Sequence, residues 1–193
     1  MSKSVLLSIQ PYWVFLIVAK SMGWNINKEK TIEVRKSYPK DENWDKVIKI
    51  YCGKDKKSFA QIPKEYQSLM KQYLGKVIGE FVCNAILPIS ITYSDPNSRI
   101  ALREFPFTCL TDKEIMDYLG NGNIGYGLCI SDLVIYDKPK ELSDFRKPCI
   151  YGEESDVSCF SCDKSGYRPD MHIDCFNEVT RPPQSWCYVE ELI

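Results

Sequence analysis

The chain has one histidine, His172, among 193 residues. Any Ser-His-Asp or Cys-His mechanism must therefore use that single imidazole, which lies among cysteines near the C-terminus. Neither sign of charge predominates in the chain. Its 25 Lys and Arg stand against 26 Asp and Glu, for a net charge of -1, so it is no polycation. Contact with nucleic acid would have to come from a local basic patch. No Gly-Lys-Ser/Thr phosphate loop is present. The glycines of Gly120-Asn121-Gly122-Asn123 are followed by no helix and fit a helix stop instead. No internal repeat or low-complexity run is evident. The one apolar run, Val5 to Ala19, is interrupted by Gln10-Pro11 and followed by Lys20. It falls short of the about 20 residues of a membrane span, and no small-x-small cleavage site follows it.

What is present suits one domain with a small appendage. Val5 to Ile9 reads as a strand. Pro11 then opens a helix at the position where its missing N–H costs little. Tyr12 to Ala19 is apolar almost all round and predicts a buried helix. Lys46 to Cys52 is strand-like and rich in β-branched residues. Phe59 to Leu74 predicts a helix broken at Pro63, with Tyr66, Leu69, Met70 and Tyr73 as a core stripe and Gly75 as its stop. Lys76 to Ile86 reads as one long strand with a lone carboxylate, Glu80. Ser90 to Thr108 reads as a loop. Thr111 and Glu114 have capping-box spacing before a helix over Lys113 to Leu119. Gly125 to Tyr136 reads as one strand or hairpin arm, closed by Asp137-Lys138-Pro139.

The stretch Lys28 to Lys36 stands out. Its alternation places Thr31, Glu33 and Arg35 on one face and Ile32 and Val34 on the other, with Lys30 at the strand entrance and off the Glu33–Arg35 face. Such a charged face needs either water or a polar ligand, because unpaired buried charge is costly. Glu80 has two readings, a strand-edge position reaching water or a carboxylate facing a cleft. Lys30 and Arg35 suit a phosphate or a base edge, and Glu33 or Glu80 could accept from an exocyclic amine. Tyr12, Trp13 and Tyr38 offer either a stacking surface or simple packing. Lys28, Lys36, Lys40, Lys54, Lys56 and Lys57 could form a basic rim.

With no export signal, the chain is expected in the cytoplasm, its nine cysteines reduced. Cys52, Cys83 and Cys129 fall on strands as core residues. Cys159-x-x-Cys162 and His172-x-x-Cys175 have the ligand types and pairing of a closed tetrahedral zinc site, with Cys187 as an alternative fourth ligand. Thr180 to Val189 reads as a proline-stiffened arm entering a last strand. Either it packs Trp186 on the domain, or Arg181, Gln184 and Trp186 frame a cleft.

In order along the chain, several motifs resemble the ASCH domain, a PUA-like family. These are Val5-Leu6-Leu7-Ser8-Ile9 with Gln10-Pro11, then Lys-Thr-x-Glu-x-Arg as Lys30, Thr31, Glu33 and Arg35, then Gly75-Lys76-Val77-Ile78-Gly79-Glu80, and last the Tyr136 to Leu142 turn. The resemblance runs from about Ser4 to Phe145, and the chain looks like ASCH-type proteins of Gram-positive bacteria and their phages. It implies an α+β fold, a small PUA-like β-barrel with flanking helices over residues 1–148. A Cys-rich extension with the zinc site and a closing strand would follow over 149–193. It also implies binding of RNA or a nucleotide in a cleft lined by Lys30, Thr31, Glu33, Arg35 and Glu80. One branch of the family hydrolyses N4-acetylcytidine with a lysine, a threonine and a glutamate. By position its lysine falls on Lys30 and its glutamate on Glu80. Its threonine falls on Glu33, which has no hydroxyl, leaving Thr31 two residues earlier as the substitute. The expected function is a binding module. The alternatives are a nucleoside amidohydrolase using Lys30, Glu80 and Thr31, and a protein-interaction adaptor that docks through the Cys/His segment.

Overall fold

The computed structural model describes residues 4–40, 46–90, 107–148 and 178–191. The elements run in the order β1 (Ser4–Ile9), α1 (Pro11–Val18), β2 (Ile32–Arg35), β3 (Lys46–Cys52), α2 (Lys56–Phe59), α3 (Lys64–Lys71), β4 (Val77–Cys83), β5 (Ile86–Ser90), α4 (Asp112–Leu119), β6 (Ile124–Cys129) and β7 (Ser131–Lys140). A 3-10 turn (Leu142–Asp144), β8 (Phe145–Arg146) and β9 (Trp186–Glu191) complete them.

β1 is the central strand. It runs parallel to β3, with Val5 opposite Ile48 and Ile9 opposite Cys52. On its other side it runs antiparallel to β9, with Leu6 opposite Cys187. A parallel neighbour needs a long crossover, and α1 with β2 supplies it. Both faces of β1 are covered, and its period-2 alternation divides them. Val5, Leu7 and Ile9 enter the main core with α1, Ile48, Ile50, Ile78 and Phe81. Leu6 enters a second core with Tyr51, Val77, Phe145 and Val189. Fully burying side chains of this size is worth about 1.5–3 kcal/mol each. Pro11 occupies the first turn of α1, and Val14 through Val18 are buried, as a helix apolar all round requires.

The strands form two sheets and the larger does not close into the expected barrel. Six strands lie in the order β7-β4-β3-β1-β9-β8, and three lie in the order β2-β6-β5. The reason is local. The run Lys76 to Ile86 is not one strand: it turns at Asn84 and Ala85, so that β4 belongs to the large sheet and β5 to the small one. Gly125 to Tyr136 likewise splits at Ile130 into β6 and β7. The two crossing points are tied together, since Cys129 N donates to Ala85 O at 3.0 Å and Ile130 N to Thr31 O at 2.9 Å. β7 continues through Pro139 to Lys140 on an edge, where proline costs no central ladder bond.

The break expected at Pro63 is present, with Pro63 at the N-cap of α3, but the helix before it, α2, starts earlier than expected and ends at Phe59. Met70 and Tyr73 are buried as expected, but Leu69 is exposed. Thr111 and Glu114 form the capping box of α4, and Glu114 Oε2 accepts from Thr111 N at 2.8 Å. β9 sits between β1 and β8. No helix among the described residues is long and apolar enough to cross a membrane.

Candidate nucleic-acid interface

β2 carries the charged motif into the interior. Glu33 is 5% exposed, Arg35 7% and Lys30 2%, so the expected solvated face is in fact buried. β2 pairs with β6, with Glu33 opposite Leu128 and Arg35 opposite Tyr126. Burial at these levels requires partners, and the structure supplies them. Arg35 Nη2 lies 3.0 Å from Glu33 Oε1 and donates to Ser8 O at 2.7 Å, which anchors the guanidinium to β1. Lys30 Nζ lies 3.3 Å from Glu33 Oε2. It also donates to Ile32 O at 2.9 Å and to Thr108 O at 2.8 Å, and sits 5.2 Å from the centre of the Trp13 ring.

Lys30 thus joins Glu33, although strand alternation places it off that face. It precedes the first residue of β2, so the period-2 rule does not govern it. Two donors of this ammonium go to backbone carbonyls, and it faces Glu33 Oε2 as an ion pair.

These residues form one wall of a cleft of about 640 Å³. β1 and its exit contribute Ser8, Ile9 and Gln10, and α1 contributes Trp13. Gly53, Lys54 and Asp55 come from the turn after β3. Here Gly53 N donates to Ile9 O at 2.8 Å, bringing that turn against the end of β1. α4 presents Glu114, Asp117 and Tyr118, which share one face at helical spacing. Tyr118 is exposed and Lys36 Nζ lies 5.1 Å from its ring centre. Among the described lining residues the cations are Lys30, Arg35 and Lys54, and the carboxylates are Glu33, Asp55, Glu114 and Asp117. The cleft is therefore close to balanced in charge.

The remaining sequence candidates divide. Gln184, from the C-terminal arm, lines the cleft. Trp186 packs against the main core, and its Nε1 donates to Ser37 Oγ at 3.2 Å. Tyr12 packs edge-on against Trp13, and Tyr38 edge-on against Tyr126. Thr31 is half-buried, with its backbone N–H donating to Phe107 O at 2.9 Å, and its side chain does not line the cleft. Cys159, Cys162, His172 and Cys175 lie outside the described residues. Cys187 is half-buried on β9, and no group of metal-ligating side chains occurs among the described residues.

Glu80 is not brought to Lys30, Glu33 and Arg35. It lies on β4 opposite Lys49, which hydrogen-bonds its carboxylate, while Tyr136 Oη donates to Glu80 Oε2 at 2.6 Å. Lys49 also reaches Tyr136 Oη and Glu191 Oε2, each at 3.1 Å, and Lys140 pairs with Glu191. Burial works to raise the Glu80 carboxyl, but the bonds from Lys49 and Tyr136 outweigh it and hold it below the usual value. Burial works to lower the Lys49 ammonium, and the same bonds reverse that. Burial, then the bond to Glu80, pushes the Tyr136 hydroxyl up to about 12. Sequence reasoning missed Lys49 and Tyr136, whose approach to Glu80 depends on strand register. It also missed the cleft-facing side of α4.

No family model matches the chain, and no curated protein matches it. Solved structures do. ASCH from Zymomonas mobilis aligns at 16% identity over 97% of this chain and 87% of its own, with a TM-score of 0.49. A tyrosine-to-phenylalanine variant of that protein aligns at 15% identity over 98% and 91%, with a TM-score of 0.50. A serine-to-alanine variant aligns at 16% over 97% and 88%, also at 0.50. Identity this low speaks to architecture alone, and in architecture the chain resembles these ASCH structures.

Proposed function

We propose that this chain is an RNA- or nucleotide-binding module that holds its ligand in the cleft lined by β2. One observation carries the reading. A buried Lys30–Glu33–Arg35 group forms one wall of a cleft that two aromatic side chains, Trp13 and Tyr118, also line. Buried charge at a strand surface is costly unless it is paired or used, and aromatic faces beside polar groups are what unstacked bases require. Lys36, Lys54, Lys56 and Lys57 are exposed and supply a basic rim for the backbone of a longer strand. The ASCH-type fold supports the same class of ligand. Residues 149–193 act as an extension whose last strand completes the large sheet, and a structural zinc on Cys159, Cys162, His172 and Cys175 would order its first part.

A second reading, hydrolysis of an acylated nucleoside, rests on the buried Lys30–Glu33 pair in the same wall. It ranks lower because two backbone carbonyls hold the Lys30 ammonium in the wall, and Thr31 and Glu80 do not line the cleft. The test is titration of the full chain with single-stranded RNA and a nucleotide panel, together with an assay for N4-acetylcytidine turnover. Saturable binding without turnover supports the module. Turnover that is lost in Lys30→Ala makes it an enzyme. Absence of binding at any salt concentration rejects both readings.

A further inference from the structure

Residues 179–191 leave β8 and come back to it. Val179, buried in the second core, donates its N–H to Phe145 O at 3.0 Å. At the other end Phe145 lies opposite Glu191, and Arg146 opposite Glu190. Charge closes this base. Arg146 Nε donates to Glu190 Oε2 at 3.0 Å, and Glu191 pairs with Lys49 of β3 and Lys140 of β7. The segment is therefore a loop whose ends are joined, as in compact surface loops.

Its far end is held differently. Arg181, Pro182 and Gln184 are exposed, and Pro183, Ser185 and Trp186 are half-buried. Among the described residues, two hydrogen bonds fasten this tip beyond the β1–β9 ladder. Ser8 N donates to Ser185 O at 3.1 Å, and Trp186 Nε1 donates to Ser37 Oγ at 3.2 Å. Ser8 belongs to β1 of the large sheet, and Ser37 follows β2 of the small one. The tip thus reaches from one sheet to the other. The cleft lies between these same strands, with Ser8, Glu33, Arg35 and Gln184 in its lining. Ser8 O accepts from Arg35 Nη2 at 2.7 Å, so one residue joins the tip to the charged wall.

Water replaces hydrogen bonds of exposed groups at little cost, whereas opening the base would expose Val179 and Val189 and part its ion pairs. Pro182 and Pro183 fix their φ angles, so the tip moves as a stiff piece. We infer that residues 180–186 are a lid hinged on β8, which lifts from Ser8 and Ser37 and widens the cleft while its base stays closed. Trp186 is the catch. The lid controls access to the cleft of the proposed function, and rests on that reading only for the identity of what enters.

Amide hydrogen exchange of the full chain, followed by NMR without ligand, tests this at two reporters. The Ser8 N–H reports the tip and the Val179 N–H the base. The expected result, after correction for intrinsic rates, is that Ser8 exchanges about tenfold or more faster than Val179. Ser37→Ala removes the acceptor of the catch, and Ser37 is exposed, so the core stays intact. That variant should speed exchange at Ser8 about threefold or more and leave Val179 unchanged. Equal protection of the two amides in the unaltered chain, or no change at Ser8 in Ser37→Ala, overturns the lid and makes the tip a fixed part of the sheet. Both amides are read without ligand, so failure to bind RNA would reject the proposed function and leave this result standing.

Discussion

Arg35 and Glu33 stand two residues apart on β2, and their side chains meet at 3.0 Å with both almost wholly removed from solvent. A pair this close on one face of a strand is simple to form. Keeping it buried is not, because two charges leave water together. Lys30 adds a second cation to the same carboxylate. The group therefore depends on Glu33 as its only anion among the described contacts, and this asymmetry sets the first prediction.

Glu33→Ala should destabilise the fold by about 3 kcal/mol, because it leaves Lys30 and Arg35 as buried charges without their counter-ion. For a chain of this length that is a fall in Tm of roughly 10 °C. Thermal unfolding followed by circular dichroism measures it. A change near zero would mean that the backbone carbonyls alone hold both cations.

The Lys49–Glu80–Tyr136 cluster predicts how stability varies with pH. Lys49 and Tyr136 have raised values in the folded chain, so the folded state holds more protons and stability falls as pH rises. For Tyr136 the loss begins above its ordinary 10.0 and is complete beyond about 12. Glu80 is lowered from 4.5, so its contribution is present above that value and is lost as pH falls through the folded value. Denaturant midpoints across pH should show both flanks. Tyr136→Phe should flatten the alkaline one, and an unchanged alkaline slope would contradict the assignment.

Thr111→Ala removes the cap of α4 and should cost about 1 kcal/mol. Because α4 carries Tyr118 and Asp117 to the cleft, the same variant should weaken ligand binding more than that small loss of stability explains. Chemical denaturation and titration on one preparation compare the two effects. Binding that is unchanged would place α4 outside the interface.

Gly79→Ala should destabilise strongly. A Cβ at this position of β4 would run into the Val134 carbonyl oxygen of β7, which is backbone and cannot rotate away. Its effect should appear in global unfolding. A neutral outcome would mean that the β4–β7 pairing yields at its irregular register.

Much of this could be read from residue patterns. β1, α1 and β3 followed from apolar runs, Pro11 and β-branched residues, and the cap of α4 followed from Thr111 and Glu114 at the right spacing. The strand switches did not. Ile130 is apolar, and no proline or glycine marks the turn between β6 and β7. The barrel expectation failed at these switches, where backbone bonds at Ala85 and Thr31 join two sheets without closing one. In the site, alternation correctly put Glu33 and Arg35 together but misplaced Lys30, whose long side chain reaches Glu33 from outside the strand. Glu80 was recognisable as a lone carboxylate in an apolar run. Its partners Lys49 and Tyr136 come from β3 and β7, and only strand register pairs them with it.

The most direct test is the affinity of a labelled single-stranded RNA for the unaltered chain and for Tyr118→Ala. Tyr118 is exposed, so its removal leaves the core intact while taking one aromatic face from the cleft. The expected result is saturable binding by the unaltered chain and a loss of roughly fivefold to a hundredfold in the variant, the usual worth of one stacked base. Equal affinity in the two proteins, or no binding by either, would contradict an RNA- or nucleotide-binding cleft at β2.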